Sequence, residues 1–236
     1  MSYVLGVVIG KRVLMFKHEP IDLGYKDLVA ETGATGRLYN TPEGGYPSVT
    51  TVLSILSEDH IREWRARVGA EEANKVSHRA STRGTAVHDI FEKYVDNDPD
   101  HAKGRMPHII ETFRQMKPVL DERLSLVYAQ EAALYSKHLG IAGRVDLVGV
   151  WDGKISIIDY KTSAKEKKRE WCENYFIQEA AYAIMWEERT GMPITQLVTL
   201  IAGDEGNQVF IEHRDNWTKK LIETIAEYRR RKMFGR

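Results

Sequence analysis

The segment GRVDLVGVWDGKISIIDYKTS, residues 143–163, decides the fold of this chain. Two apolar runs flank the dipeptide Asp152-Gly153, which is typical of the two-residue turn of a β-hairpin. If these two residues form the turn, Trp151 pairs with Lys154, and the register of the whole hairpin follows. The segment therefore predicts two long antiparallel strands, apolar enough to lie inside a protein core.

Two carboxylates and an ammonium interrupt these apolar strands. The predicted register places Asp146 directly opposite Asp159, with Cβ atoms ~4.5–5.5 Å apart. Lys161 lies two residues further along the strand and therefore on the same face as Asp159. Two carboxylates this close in an apolar sheet repel each other and lose their hydration. A divalent cation relieves both effects, and oxygen ligands suit Mg²⁺ or Mn²⁺.

The three residues together favour a cation site, with Lys161 placed to orient an attacking water or to stabilise charge on a phosphate. The alternative is an exposed sheet edge with unrelated charges, or a simple carboxylate–lysine pair. Either aspartate alone allows that alternative, whereas all three residues in one register make it the weaker interpretation.

The composition is that of a globular protein with a sizeable core. The chain has 236 residues, of which 42% are hydrophobic, and this length suits one large domain or one domain with additions. Its 34 basic residues balance 34 acidic ones, so no global positive charge indicates nucleic acid, and any such partner would have to be bound by local patches. The single Cys172 excludes a disulfide framework and a four-cysteine cluster within one chain, and we expect no Fe-S cluster.

The N-terminal apolar run VLGVVIG is too short to span a membrane. We therefore expect no membrane partner and a cytoplasmic protein, located in the host cytoplasm if a phage encodes it.

Hydrophobic periodicity and turn residues divide the remaining chain into elements. Strands are predicted as a hairpin over residues 3–16 that turns at Gly10-Lys11, then at 126–135, 142–161, 195–202 and 208–213. Helices are predicted from Ser48 as a possible N-cap, over 71–95 and 107–122, near 172–190, and from Asp215 as N-cap. Residues 17–46 read as an irregular loop. The order predicts an α/β fold, one mixed sheet flanked by helices with a helical N-terminal region.

Several motifs occur in a fixed order around the hairpin. They are Gly143-x-x-Asp146, Asp159-x-Lys161 in DYKTS (159–163), His88 in RGTAVHDIFEKYV (83–95), Gln178 with Tyr182 in YFIQEAAYAIMW (175–186), and YPSVTTVL (46–53). In these motifs the sequence resembles the PD-(D/E)xK nuclease superfamily and its RecB-type exonuclease branch, most of all the mitochondrial genome maintenance exonucleases and similar stand-alone phage exonucleases. The resemblance implies an αβββαβ core and covers residues 46–236, so we expect a separate extension over residues 1–45.

The resemblance also implies a catalytic set. It makes His88, Asp146, Asp159 and the carbonyl of Tyr160 the ligands of Mg²⁺ or Mn²⁺. It makes Asp146, Asp159 and Lys161 catalytic, together with Glu131, which lies fifteen residues before Asp146. Without it, His88 would be interpreted as a core histidine, because it shares an apolar helix face with Phe91 and Val95.

DNA contacts are the next expectation. The candidates are Gln178, Tyr182, Arg144, Ser48, Thr50, Lys165, Lys167 and Lys168, with Trp171, Tyr175 and Phe176 as rings on which bases could stack. Gln178 and Tyr182 lie four residues apart on one helix face, where half-buried core residues are the alternative. The lysine run could equally be a solvated face, Phe176 a core residue, and Arg144 a structural residue.

The predicted function is a metal-dependent DNA exonuclease that acts mainly on single-stranded DNA ends and leaves 5′-phosphates, in replication, recombination or repair. A structure-specific endonuclease on the same core is one alternative, and a non-catalytic DNA-binding module is another. The intact metal and lysine set argues against the non-catalytic module. Helices between residues 48 and 95, which by resemblance form an arch, favour a free DNA end. The sequence identifies no single-strand-binding or recombination protein as a partner.

Overall fold

The computed structural model describes residues 8–9, 12–13 and 16–235. Strand β1 (Val8–Ile9) pairs antiparallel with β2 (Arg12–Val13). The turn predicted between them at Gly10-Lys11 lies outside the described residues.

Residues 17–47 are not the irregular loop that their composition predicts. After the short strand β3 (Lys17–His18), the strands β4 (Ala30–Gly33), β5 (Gly36–Thr41) and β6 (Gly44–Pro47) form an antiparallel sheet. Tight turns join them, and Gly36 and Gly44 adopt φ values of 104° and 120°, which suit glycine. Most side chains of these strands are exposed, so no apolar alternation marks them in the sequence. Strand β6 spans the boundary predicted between residues 45 and 46, and that boundary stays a prediction.

The helices of the N-terminal half are α1 (Val49–Leu53), α2 (Glu58–Val68), α3 (Ala70–Val95) and α4 (Pro107–Arg123), with a 3₁₀ turn between α1 and α2. Ser48 caps α1 as predicted, because its hydroxyl accepts a hydrogen bond from the Thr51 amide at 3.0 Å. The helix predicted to continue from Ser48 is broken at the 3₁₀ turn, and Gly69 at φ 85° separates α2 from α3. Helix α2 buries no residue.

A mixed sheet forms the centre of the described chain. It contains β7 (Leu124–Ser136), β8 (Ile141–Trp151), β9 (Lys154–Ser163), β10 (Gln196–Gly203) and β11 (Gln208–His213), in the order β11-β10-β9-β8-β7-β3. Strands β7, β8 and β9 are antiparallel, and helix α5 (Glu173–Thr190) connects β9 to the parallel strand β10. The predicted α/β fold with a mixed sheet flanked by helices is confirmed.

Apolar side chains cover both faces of this sheet. On one face α1, α5 and α6 (Asp215–Met233) pack through buried residues such as Phe176 and Trp186. On the other face α3 and α4 bury Phe91 and Phe113. Asp215 is the first residue of α6 and does not cap it, contrary to the prediction from sequence. None of the described helices is long and apolar enough to cross a lipid bilayer.

The sheet divides between β8 and β9. Their pairing follows the predicted register from Trp151 and Lys154 to Leu147 and Ile158, and the described ladder ends there. Beyond that point β8 stays paired with β7, and β9 stays paired with β10. The expected direct pair of Asp146 and Asp159 is therefore not formed. Instead, the Asp146 carboxylate accepts a hydrogen bond from the Tyr160 amide at 2.8 Å and takes the place of a strand partner.

Gly143 provides a test of how α5 packs on the divided sheet. A Cβ atom at this position would lie 2.7 Å from Cε1 of Tyr182, so we expect Gly143→Ala to lower the free energy of unfolding by ~1–3 kcal/mol. Urea denaturation measures the change. Gly33→Ala on β4 is the control, because its Cβ would meet no atom within 4 Å. Equal losses in the two variants would contradict the tight contact.

Candidate active site

Three side chains from three elements converge where the sheet divides. His88 of α3, Glu131 of β7 and Asp146 of β8 each offer a ligand atom, and these atoms lie within 4.8 Å of one another. Nδ1 of His88 is 3.6 Å from Oδ2 of Asp146. All three residues are half-buried, so solvent and ions reach them. One imidazole and two carboxylates fit a divalent cation.

Glu131 reaches this cluster through an unusual backbone conformation. Its φ is 47° in the middle of a strand, which costs a residue other than glycine on the order of 1–3 kcal/mol. The Arg144 guanidinium donates a hydrogen bond to the Glu131 carbonyl. Nη2 of Arg144 also donates hydrogen bonds to both carboxylate oxygens of Asp27, each at 2.7 Å. Arg144 therefore lines the site with its guanidinium bonded to the Glu131 carbonyl and the Asp27 carboxylate. Its DNA contact stays a prediction.

Asp159 and Lys161 form a second group beside the cluster. Asp159 is 1% exposed and accepts hydrogen bonds from the Lys161 ammonium and, at 3.1 Å, from Nε2 of Gln178. Glu131 thus lies together with His88 and Asp146, whereas Asp159 forms an ion pair with Lys161. A cation contact of Asp159 stays a prediction.

Burial and like charge shift the titration of these carboxyls. Burial, followed by the charges of Asp146 and Glu92, raises the pKa of Glu131 to about 7. Burial also raises the pKa of Asp159 to about 6, although the Lys161 ammonium lowers it. Burial opposes the charge of Lys161, but Asp159 and Asp146 outweigh it and raise the Lys161 pKa. Burial and like charge therefore oppose the ionised forms of both carboxyls, and the Lys161 ammonium offsets this effect at Asp159.

Tyr160 contributes its backbone, and its side chain lies elsewhere. The ring stacks on Phe91 at a centroid distance of 4.6 Å, within the core between the sheet and α3. The Tyr160 amide holds Asp146 in place, as described above. The predicted role of its carbonyl as a cation ligand is untested.

Gln178 and Tyr182 brace the site from α5. Nε2 of Gln178 lies 3.1 Å from Asp159 and 3.4 Å from the Tyr182 hydroxyl. Tyr182 is 2% exposed, and its burial raises its pKa well above the usual value. The DNA contacts expected of both residues stay predictions.

A cavity of about 670 Å³ opens in front of the cluster. Ser48 and Thr50 line it as residues of the α1 N-terminus, and their hydroxyl oxygens are 3.0 Å apart. Arg37 and Glu92, which the sequence motifs do not include, also line its wall. Glu92 lies one turn after His88 on α3, so helical spacing could have indicated it. Arg37 belongs to β5, which the sequence presents as a loop.

The lysine run after β9 lies outside the cavity wall. Lys165 and Lys168 are exposed, and Nζ of Lys167 lies 5.9 Å from the centre of the Tyr175 ring. Nζ of Lys161 approaches the same ring at 5.2 Å, so both lysines contact Tyr175. Trp171 is 59% exposed, whereas Phe176 is a core residue, the alternative that the sequence left open.

Comparison with known proteins identifies the family. The model of the PD-(D/E)XK nuclease superfamily matches residues 60–234, most of the chain. The chain belongs to this superfamily. Among solved structures it is similar to one described as "Crystal structure of SSO0001", with 13% sequence identity and a TM-score of 0.34, over 61% of this chain and 72% of that one. No curated protein matches the chain significantly.

Membership explains the donor set of the cavity. Nucleases of this superfamily use divalent metal ions, and DNA is their substrate. His88, Glu131 and Asp146 are the residues that would hold such an ion. When bound, it would supply Lewis-acid chemistry to a phosphate and lower the pKa of water.

The raised pKa of Glu131 predicts a pH-dependent stability in the metal-free protein. Because the folded state binds this proton more tightly than the unfolded state, the free energy of unfolding should fall as the pH rises from about 4.5 to about 7. Glu131→Gln removes the titrating group, so the fall should become shallower. Urea unfolding in EDTA between pH 5 and 8 measures it. The control is Glu122→Gln, because Glu122 is exposed on α4. If Glu131→Gln leaves the slope of unfolding free energy against pH unchanged, Glu131 is not the titrating group.

Proposed function

We propose that this protein is a metal-dependent DNA exonuclease of the RecB type. It acts mainly on single-stranded DNA ends, leaves 5′-phosphates, and serves DNA replication, recombination or repair, in the manner of the mitochondrial genome maintenance and stand-alone phage exonucleases. The observation that carries the proposal is the cluster of His88, Glu131 and Asp146 beside the Asp159–Lys161 pair, at the mouth of a cavity of about 670 Å³.

The side chains have complementary roles in this proposal. His88, Glu131 and Asp146 would hold Mg²⁺ or Mn²⁺, and Asp159 and the Tyr160 carbonyl would be further ligands. Asp146 raises the pKa of Asp159, so the two carboxylates interact, and a cation between them would relieve their repulsion. The Lys161 ammonium lines the cavity and stabilises negative charge on the phosphate. Water attacks phosphorus, the bond between phosphorus and the 3′ oxygen breaks, a proton from the water ends on the 3′ oxygen to give a 3′-hydroxyl, and the phosphate stays on the 5′ oxygen of the next nucleotide.

The substrate strand contacts the wall of the cavity in this proposal. The Ser48 and Thr50 hydroxyls and Gln178 face the cavity and bind phosphate oxygens next to the scissile bond. Lys165, Lys167 and Lys168 lie outside the wall, where they attract more distant phosphates.

The path of the chain supports a substrate with a free end. Helix α1 at Thr50 and helix α3 at Gly84 both line the cavity. Between them, α2 and the first half of α3 leave the core, with nearly all their side chains exposed, and return. A segment whose two ends both lie at the cavity can form an arch over it. A single strand must enter such an arch end first. A structure-specific endonuclease and a non-catalytic module remain the alternatives that experiments must reject.

Separate roles for Asp146 and Lys161 can be tested by substitution. Asp146→Asn should weaken Mn²⁺ binding in calorimetry and abolish cleavage, because it removes a charged ligand. Lys161→Ala should lower the cleavage rate by ~10²–10³-fold and leave Mn²⁺ affinity unchanged, because it removes only charge stabilisation. Lys219→Ala, exposed on α6, is the control for both measurements. Equal losses of Mn²⁺ affinity in the two variants would reject the separate roles.

Circular DNA tests the requirement for an end. We expect rapid, metal-dependent degradation of linear single-stranded DNA, slow attack on blunt duplex, and almost none on circular single strands of the same sequence. Labelled substrates with Mg²⁺, Mn²⁺ or EDTA on denaturing gels measure this. Circles cut as fast as linear strands would favour the endonuclease, and no cleavage with either metal would favour the non-catalytic module.

A further inference from the structure

A groove leads away from the catalytic cavity along α3. A second cavity, of about 420 Å³, shares Thr85 and Asp89 with the catalytic cavity. A third, of about 470 Å³, shares His78, Thr82 and Arg105 with the second. The three cavities therefore adjoin one another along α3. We name the second and third together the α3 groove; its characteristic residues are His78, Arg79, Arg83, Arg105, Met106 and His108.

The far part of the α3 groove is rich in arginine. Arg79, Arg83 and Arg105 line the third cavity, and no described carboxylate does. The Arg83 guanidinium donates hydrogen bonds of 2.6 and 2.8 Å to the Asp204 carboxylate, and the Arg105 guanidinium donates one to the Asp89 carboxylate. Arg79 forms no ion pair with any described residue. In a chain with zero net charge, this concentration of guanidinium groups beside the catalytic cavity is a local match for phosphates.

The same groove also offers apolar surface. Ala86, Met106 and Ile109 line the third cavity, and Met106 is 64% exposed. The imidazoles of His78 and His108 add flat rings on which a base can stack. A duplex keeps its base faces stacked inside, whereas a single strand exposes them, so apolar surface between cations suits a single strand.

We propose that the α3 groove binds the single DNA strand on one side of the scissile phosphate. Its guanidinium groups contact the backbone, and its apolar surface contacts unstacked bases. The inference rests on the proposed function, since the strand in the groove is continuous with the strand in the catalytic cavity. It assigns substrate binding to Arg79 and its neighbours, which the sequence motifs do not include.

The test measures DNA binding in a variant whose cleavage is slowed. In a Lys161→Ala background with Mg²⁺, the affinity for a labelled single strand longer than the catalytic cavity is measured by fluorescence anisotropy over a range of salt concentrations. Arg79→Ala should weaken binding several-fold and reduce the slope of log affinity against log salt by ~0.7, the value for one lost phosphate contact with a single strand. Arg79→Lys should retain most of that slope, because it keeps the charge.

Arg114→Ala is the matched control, because Arg114 is exposed on α4 and lines none of the three cavities. The inference is overturned if Arg79→Ala and Arg114→Ala give the same affinity and slope. If the wild-type protein shows no metal-dependent cleavage, the proposed function is overturned instead. The binding measurement in the Lys161→Ala background would still decide whether the α3 groove binds DNA.

Discussion

The separation of β8 from β9 beyond Leu147 and Ile158 is the constraint on which the site depends. Each strand keeps its other neighbour, so the sheet stays intact on both sides of the division. The carboxylate of Asp146 satisfies the Tyr160 amide, which limits the number of buried backbone groups left without a partner. The division creates a space inside an apolar sheet, and polar side chains from both strands and from α5 fill it.

Placing charge in that space opposes folding. Burial raises the pKa values of Glu131 and Asp159, so the metal-free protein holds these carboxyls in their ionised form only at a cost. A cation or a proton relieves this cost, and the two therefore compete for the same groups. The positive φ of Glu131 adds backbone strain at the same place. Such conflict between stability and local arrangement is what a functional site is expected to show.

The strands before α1 help to shape the site, although the family model begins at residue 60. Asp27 holds Arg144, and Arg144 holds the carbonyl of Glu131, so a residue of the N-terminal region supports the conformation of a proposed ligand. Strand β5 adds Arg37 to the wall of the cavity and buries Tyr39 against β7 and β8. In this protein the N-terminal strands and the superfamily core therefore build one cavity together.

The sequence by itself determined the elements whose signals are local. The Asp152-Gly153 turn, the cap of α1 at Ser48 and the apolar face of α3 each depend on neighbouring residues, and the structure contains all three. Only the tertiary structure decided the division of the sheet and the exposed strands of residues 30–47. The division lies where distant elements meet, with the Tyr182 ring of α5 beside Gly143 of β8, and the exposed strands carry no apolar alternation. Neither feature leaves a periodic pattern in a single chain segment, because the division joins distant elements and the exposed strands bury few side chains.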